Sequence, residues 1–117
     1  MEHDLNDRTS EFALRTIRMY SSLSKSDAVA QVLGKQVLRS ATSIGANYRE
    51  AGRARSKAEF ISKIGDCLKE AAETDYWFDL LVRSDCISRS RMKDLLNEVL
   101  ELIAILTTID KNAKRNR

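Results

Sequence analysis

The chain contains no proline, four glycines and one histidine in 117 residues. Without proline nothing forces a helix to stop or kink, and with so little glycine few connections can rely on left-handed backbone. Aromatic residues make up 6% of the chain, so the core falls mainly to aliphatic side chains. The two cysteines, Cys67 and Cys86, each stand in an apolar neighbourhood and read as buried free thiols. No stretch reaches the ~18 apolar residues of a membrane span. Met1-Glu2-His3-Asp4 is acidic and opens no apolar signal region, so the expected location is the cytoplasm. The single histidine, His3, lies in a terminus expected to fray, which leaves any serine without a base and any bundle metal site without its Glu-x-x-His pair. Gly45 stands alone in a helical run, so there is no glycine-rich phosphate loop. A non-enzymatic protein with no metal and no cofactor is expected.

Ala, Leu, Ile, Glu, Lys and Arg dominate instead, and 32% of the residues are charged with both signs mixed. That composition favours long helices with solvated faces. The length suits one core, hence a single all-α domain over residues 1–117. A net charge of +3 permits a polyanionic partner without demanding one, because local clustering matters more than the total.

Periodicity predicts four helices, at about 9–24, 27–54, 57–83 and 90–112. In the first, Phe12, Ala13, Ile17, Tyr20 and Leu23 share a side that Leu14 and Met19 widen, with Thr9 or Ser10 as N-cap. The second opens at Ser26 or Asp27, and Gly52 offers a left-handed C-cap. Ser56-Lys57-Ala58-Glu59 reads as a capping box for the third, whose apolar stripe of Ile64, Leu68, Ala71, Phe78 and Val82 is interrupted by Asp75. The fourth has the strongest heptad, from Met92 through Leu95, Val99, Leu102 and Leu106 to Ile109, with Leu100 and Ile105 off the stripe. So wide an apolar face points to burial against another subunit. Short connectors then predict an antiparallel up-down-up-down four-helix bundle. The tail from Lys111 to Arg117 is basic and expected to be loose.

The second helix has three faces. Leu33, Val37, Ala41, Ile44, Tyr48 and Ala51 form its core side. Gln36, Ser40, Ser43, Asn47 and Glu50 form a polar stripe that faces Glu70, Glu73 and Trp77 of the third helix. Such a seam either sets helix register as a hydrogen-bonded network or holds a small ligand or metal through Glu70 and Glu73. The remaining side carries Lys35, Arg39, Arg49 and Arg53 within roughly a quarter turn and continues into Arg55 and Lys57. Six cations on one face and turn can contact successive phosphates, or they can be a solvated face partly neutralised by Glu50 and Glu59.

Three runs carry a family likeness: Gln36 to Ala51, Ser56 to Lys63, and Lys69 to Trp77, together with Phe12-Ala13-Leu14-Arg15 and its spacing to Tyr20. In this order they resemble the bacterial four-helix-bundle family named for a protein encoded in 23S rRNA intervening sequences, over about residues 9–110. The same superfamily includes the accessory variability determinant protein of diversity-generating retroelements. The resemblance implies a ring-like homo-oligomer, a pentamer, whose basic face takes RNA or DNA or a nucleic-acid enzyme such as a reverse transcriptase. It implies no enzymatic activity and no catalytic residue. The turn Arg53-Ala54-Arg55 is more basic than the family pattern leads one to expect, which favours a polyanion. The other reading is a protein–protein assembly scaffold without nucleic-acid binding.

Overall fold

Each helix begins where a side-chain oxygen takes up backbone amides that the first turn leaves free. In the computed structural model, which describes residues 4–116, Asp4 caps α1 (Leu5–Ser21) and Asp27 caps α2 (Ala28–Ala51). Ser56 caps α3 (Lys57–Arg83) and Ser88 caps α4 (Arg89–Arg115). The four helices form an all-α bundle 49 Å long and about 22 Å across, little more than one long helix in length.

The boundaries differ from the sequence reading mainly at the first helix. It starts at Leu5, four residues before Thr9, because Leu5 is buried in the core and Asp4 supplies the cap. Thr9 is then a buried helix residue whose hydroxyl donates to the Leu5 carbonyl. Residues 1–3 lie outside the described residues, and with them His3 and most of the terminus expected to fray. At the other end α4 continues through Arg115, so most of the tail expected to be loose is helical, and Arg117 lies outside the described residues. Gly52 does close α2, but at φ −66° and ψ −16° rather than in the left-handed region. The only described residue with that conformation is Asp85, φ 62°, in the connector before α4. At Ser56 half of the expected box forms: its hydroxyl accepts from the Glu59 amide, while the Glu59 carboxylate takes the Arg55 amide instead of that of Ser56.

The core runs through all four helices and is centred on Phe12, Val37, Ile44, Ile64, Phe78, Met92, Leu102 and Leu106. Phe12 and Phe78 meet edge-to-face at 6.1 Å across it. On α1 the buried side is rotated from the expected stripe: Thr9, Phe12, Thr16 and Met19 point inward, whereas Ile17 and Leu14 are 40% and 49% exposed. The two threonines are tolerated because each hydroxyl donates to the carbonyl four residues earlier. Small residues let α1 approach α2. A Cβ at Gly34 would stand 2.7 Å from the Tyr20 ring, and one at Gly45 would stand 3.0 Å from the Thr9 hydroxyl.

Candidate nucleic-acid interface and the seam beside it

The α2–α3 seam takes its geometry from hydroxyls and ion pairs. Ser40 and Thr74, both fully buried, lie 2.8 Å apart oxygen to oxygen, and Thr74 is also 2.8 Å from the Glu70 carbonyl. Further out, Arg39 donates to Glu73 at 2.7 Å and to Glu70 at 3.3 Å. Near the far end of α2, Lys63 pairs with Glu50 at 2.6 Å. These contacts join α2 to α3 at 39 with 73, 40 with 74 and 50 with 63.

The expected seam residues divide. Glu70, Glu73 and Trp77 are half-buried at this junction, with Ser43 and Asn47 half-buried across from them. Ser43 donates to the Arg39 carbonyl and Asn47 to the Ser43 carbonyl, both within α2, so neither bridges the helices. Glu50 is exposed and bound to Lys63, outside any buried network. The cross-helix connection belongs instead to Thr74 and Arg39. Thr74 was hidden because an isolated threonine at helical spacing carries no distinctive pattern, and Arg39 because its charge placed it with the basic side. The Trp77 indole nitrogen is buried without a hydrogen-bond partner. Arg39, by its hydrogen bond first, holds the Glu73 carboxyl below the usual glutamate value. Among the described residues no group of three His, Cys, Asp or Glu side chains is placed to hold a metal ion.

The basic side changes membership in three dimensions. Lys35 is exposed and outside every ion pair among the described residues, but Arg39 is taken up by the seam. Arg49 donates to the Ser10 hydroxyl of α1 at 3.2 Å and makes no ion pair among the described residues. Arg53 and Arg55 are exposed in the turn after α2, likewise outside every ion pair among the described residues. Lys57 donates to the Asn116 carbonyl at 3.0 Å, which brings the end of α4 beside that turn. Lys111 and Arg115 of α4 therefore join Arg49, Arg53, Arg55 and Lys57 at one end of the bundle. Lys114, also there, is neutralised by Asp110 at 3.0 Å. The sequence showed a basic tail and a basic turn, and only the packing of α4 along α3 brings the two together.

The α3–α4 surface away from that end has a different character. A groove of about 830 Å³ runs between α3 and α4, with Asp75 and Asp79 on one wall, Arg89 and Lys93 on the other, and Tyr76 and Leu100 at its rim. Tyr76 and Leu100 are 55% and 54% exposed. Burial first, and then Asp79, raise the Asp75 carboxyl above the ordinary aspartate value.

Four long capped helices around one aliphatic core, with a hydroxyl-and-arginine seam between the middle two, define a small helical-bundle protein. The chain belongs to the 23S rRNA-intervening sequence protein family, which it matches over residues 1–108. A similar solved structure is that of a protein of unknown function from the S23 ribosomal protein family of Bacteroides thetaiotaomicron. It is 42% identical with a TM-score of 0.86, over 92% of this chain and 99% of that one. No curated protein matches the chain. Among the described residues no helix is long and apolar enough to cross a membrane.

Proposed function

We propose that this protein is a non-enzymatic, antiparallel up-down-up-down bundle that works in the cytoplasm as a ring-like homo-oligomer and binds RNA or DNA through its basic end. The observation that carries this reading is the convergence of Arg49, Arg53, Arg55 and Lys57 with Lys111 and Arg115, none of them in an ion pair among the described residues. Guanidinium and ammonium groups outside ion pairs suit backbone phosphates, which they neutralise by displacing condensed counterions. Copies arranged around a ring, a pentamer as the family resemblance implies, would repeat that field and extend the contact along a strand. A reverse transcriptase holding such a strand is the protein partner that the family resemblance implies. The test is fluorescence anisotropy with single-stranded and duplex oligonucleotides across a salt series. Affinity should fall steeply with salt, and Arg53→Glu with Arg55→Glu should weaken it on the order of tenfold or more. Salt-insensitive binding, or none, sinks the reading.

A second reading, a protein–protein assembly scaffold without nucleic-acid binding, has one observation in its favour: the exposed Tyr76 and Leu100 beside the α3–α4 groove. Under it, Leu100→Asp lowers the solution mass measured by light scattering and abolishes partner capture, while charge reversal at Arg53 and Arg55 changes neither.

A further inference from the structure

A second cleft, of about 330 Å³, opens between α1 and α4 in the half of the bundle away from the basic end. Arg91 begins α4 whereas Asn116, bound to Lys57, ends it, so the two sites stand roughly 37 Å apart along that helix. The cleft floor is apolar, made by the buried side chains of Met19, Leu95 and Ile87. Its walls carry three guanidinium groups, Arg15 and Arg18 from α1 and Arg91 from α4, against one carboxylate, Asp94. Arg15 and Arg91 take part in no ion pair among the described residues, and Arg18 reaches only the exposed Glu11, at 3.3 Å. Elsewhere this chain pairs its half-buried arginine with care: Arg8, two turns before Arg15 on the same helix, holds Glu98 at 2.7 Å and also binds Glu101.

Half-buried Arg15 and exposed Arg18 and Arg91 stand around an apolar floor with Asp94 as the one carboxylate lining the cleft, an arrangement that suits an anion. Planar guanidinium groups match phosphate oxygens in pairs, and the thioether and leucine floor offers contact area to whatever carries the phosphate. The volume lies at the lower end of the range for small-molecule pockets, enough for a nucleotide-sized group. We infer that the α1–α4 cleft binds a phosphate group between Arg15 and Arg91, carried either by a small free ligand or by a nucleic-acid strand. The site is separate from the basic end and does not depend on it.

The test follows the Met19 methyl resonance by NMR while inorganic pyrophosphate, and in a second arm a single-stranded oligonucleotide, is added to the full chain. Saturable movement of Met19 is expected with pyrophosphate. It should be lost in Arg15→Gln with Arg91→Gln and kept in Arg53→Glu with Arg55→Glu. Movement with the oligonucleotide alone would assign the phosphate to a strand, and movement with both would assign it to a free ligand as well. Absence of movement in both arms overturns the inference, as does movement that survives the Arg15 and Arg91 changes. Arg15→Lys with Arg91→Lys keeps the charge and should weaken binding without abolishing it, which separates loss of the site from loss of the fold.

Discussion

The hydroxyl of Thr74 lies 2.8 Å from that of Ser40, the two meeting at the centre of the α2–α3 interface with no exposure to solvent. Each hydroxyl has one proton, so when Thr74 donates to the Glu70 carbonyl, Ser40 donates to Thr74. When Thr74 donates to Ser40 instead, Ser40 turns to the Val37 carbonyl at 3.3 Å. Both arrangements satisfy the pair, and neither survives the loss of one member. Thr74→Val should cost about 1–2 kcal/mol in urea unfolding. Adding Ser40→Ala should recover part of that loss, because no polar group is then left stranded. Strict additivity of the two changes would rule the coupling out.

Arg39 is the salt-bridge counterpart of that contact. Its hydrogen bond keeps the Glu73 carboxyl below its ordinary value, so the folded state binds that proton less readily than the unfolded chain. The contribution is complete above the ordinary glutamate range and is lost as pH falls through the lowered folded value. Since Arg39 is half exposed, Arg39→Met should cost less than about 1 kcal/mol at neutral pH. The difference from the parent protein should shrink in acid, as read from urea midpoints across pH.

Two glycines predict opposite signs for the same substitution. Gly34→Ala puts a methyl group 2.7 Å from Tyr20 and 2.8 Å from Leu23, and prising α1 from α2 should cost about 1–3 kcal/mol. At Gly65 an added Cβ meets nothing within 4 Å, so Gly65→Ala should stabilise α3 by about 0.5–1 kcal/mol. Thermal melts of the two variants should move in opposite directions.

The two thiols should differ in reactivity. Cys67 is fully buried, its thiol donating weakly to the Ile44 carbonyl at 3.6 Å, and burial pushes it up to about 12. Cys86 is only half-buried, beside the Ser84 hydroxyl. A thiol reagent at neutral pH should modify Cys86 alone in the native protein and both cysteines in denaturant.

Much of the bundle was legible because aliphatic periodicity and caps act over a few residues. Lys57 to Arg83 shows this best: Ser56 marks its start, and Ile64, Ala71 and Phe78 line its buried side as their spacing predicts. The first helix was placed late because Thr9 and Ser10 look like caps. Nothing local reveals that Leu5 reaches the core or that Asp4 lies outside it. Of the seam residues named from the sequence, Ser43 and Asn47 bond within α2 and Glu50 is exposed, while Arg39, Ser40 and Thr74 make the contacts to the facing helix. Whether Asn47 reaches α3 or bonds back to Ser43 depends on helix rotation, which side-chain spacing leaves open by tens of degrees. The gathering of Lys111 and Arg115 beside Arg53 depends on how α4 lies along α3, and the Arg15–Arg91 cleft depends on how α1 meets α4. Contacts across so many residues leave no mark on either segment alone.

The α1–α4 boundary is the thinnest contact in the bundle and the α2–α3 boundary the most extensive. Amide hydrogens should therefore exchange last along the buried faces of α2 and α3, while α1 separates from α4 in smaller excursions below the global unfolding energy. The Arg8 pairing with Glu98 and Glu101 acts as the latch on that motion at one end. A phosphate held between Arg15 and Arg91 would supply a second latch further along, so ligand binding would register as slowed exchange across the whole of α1.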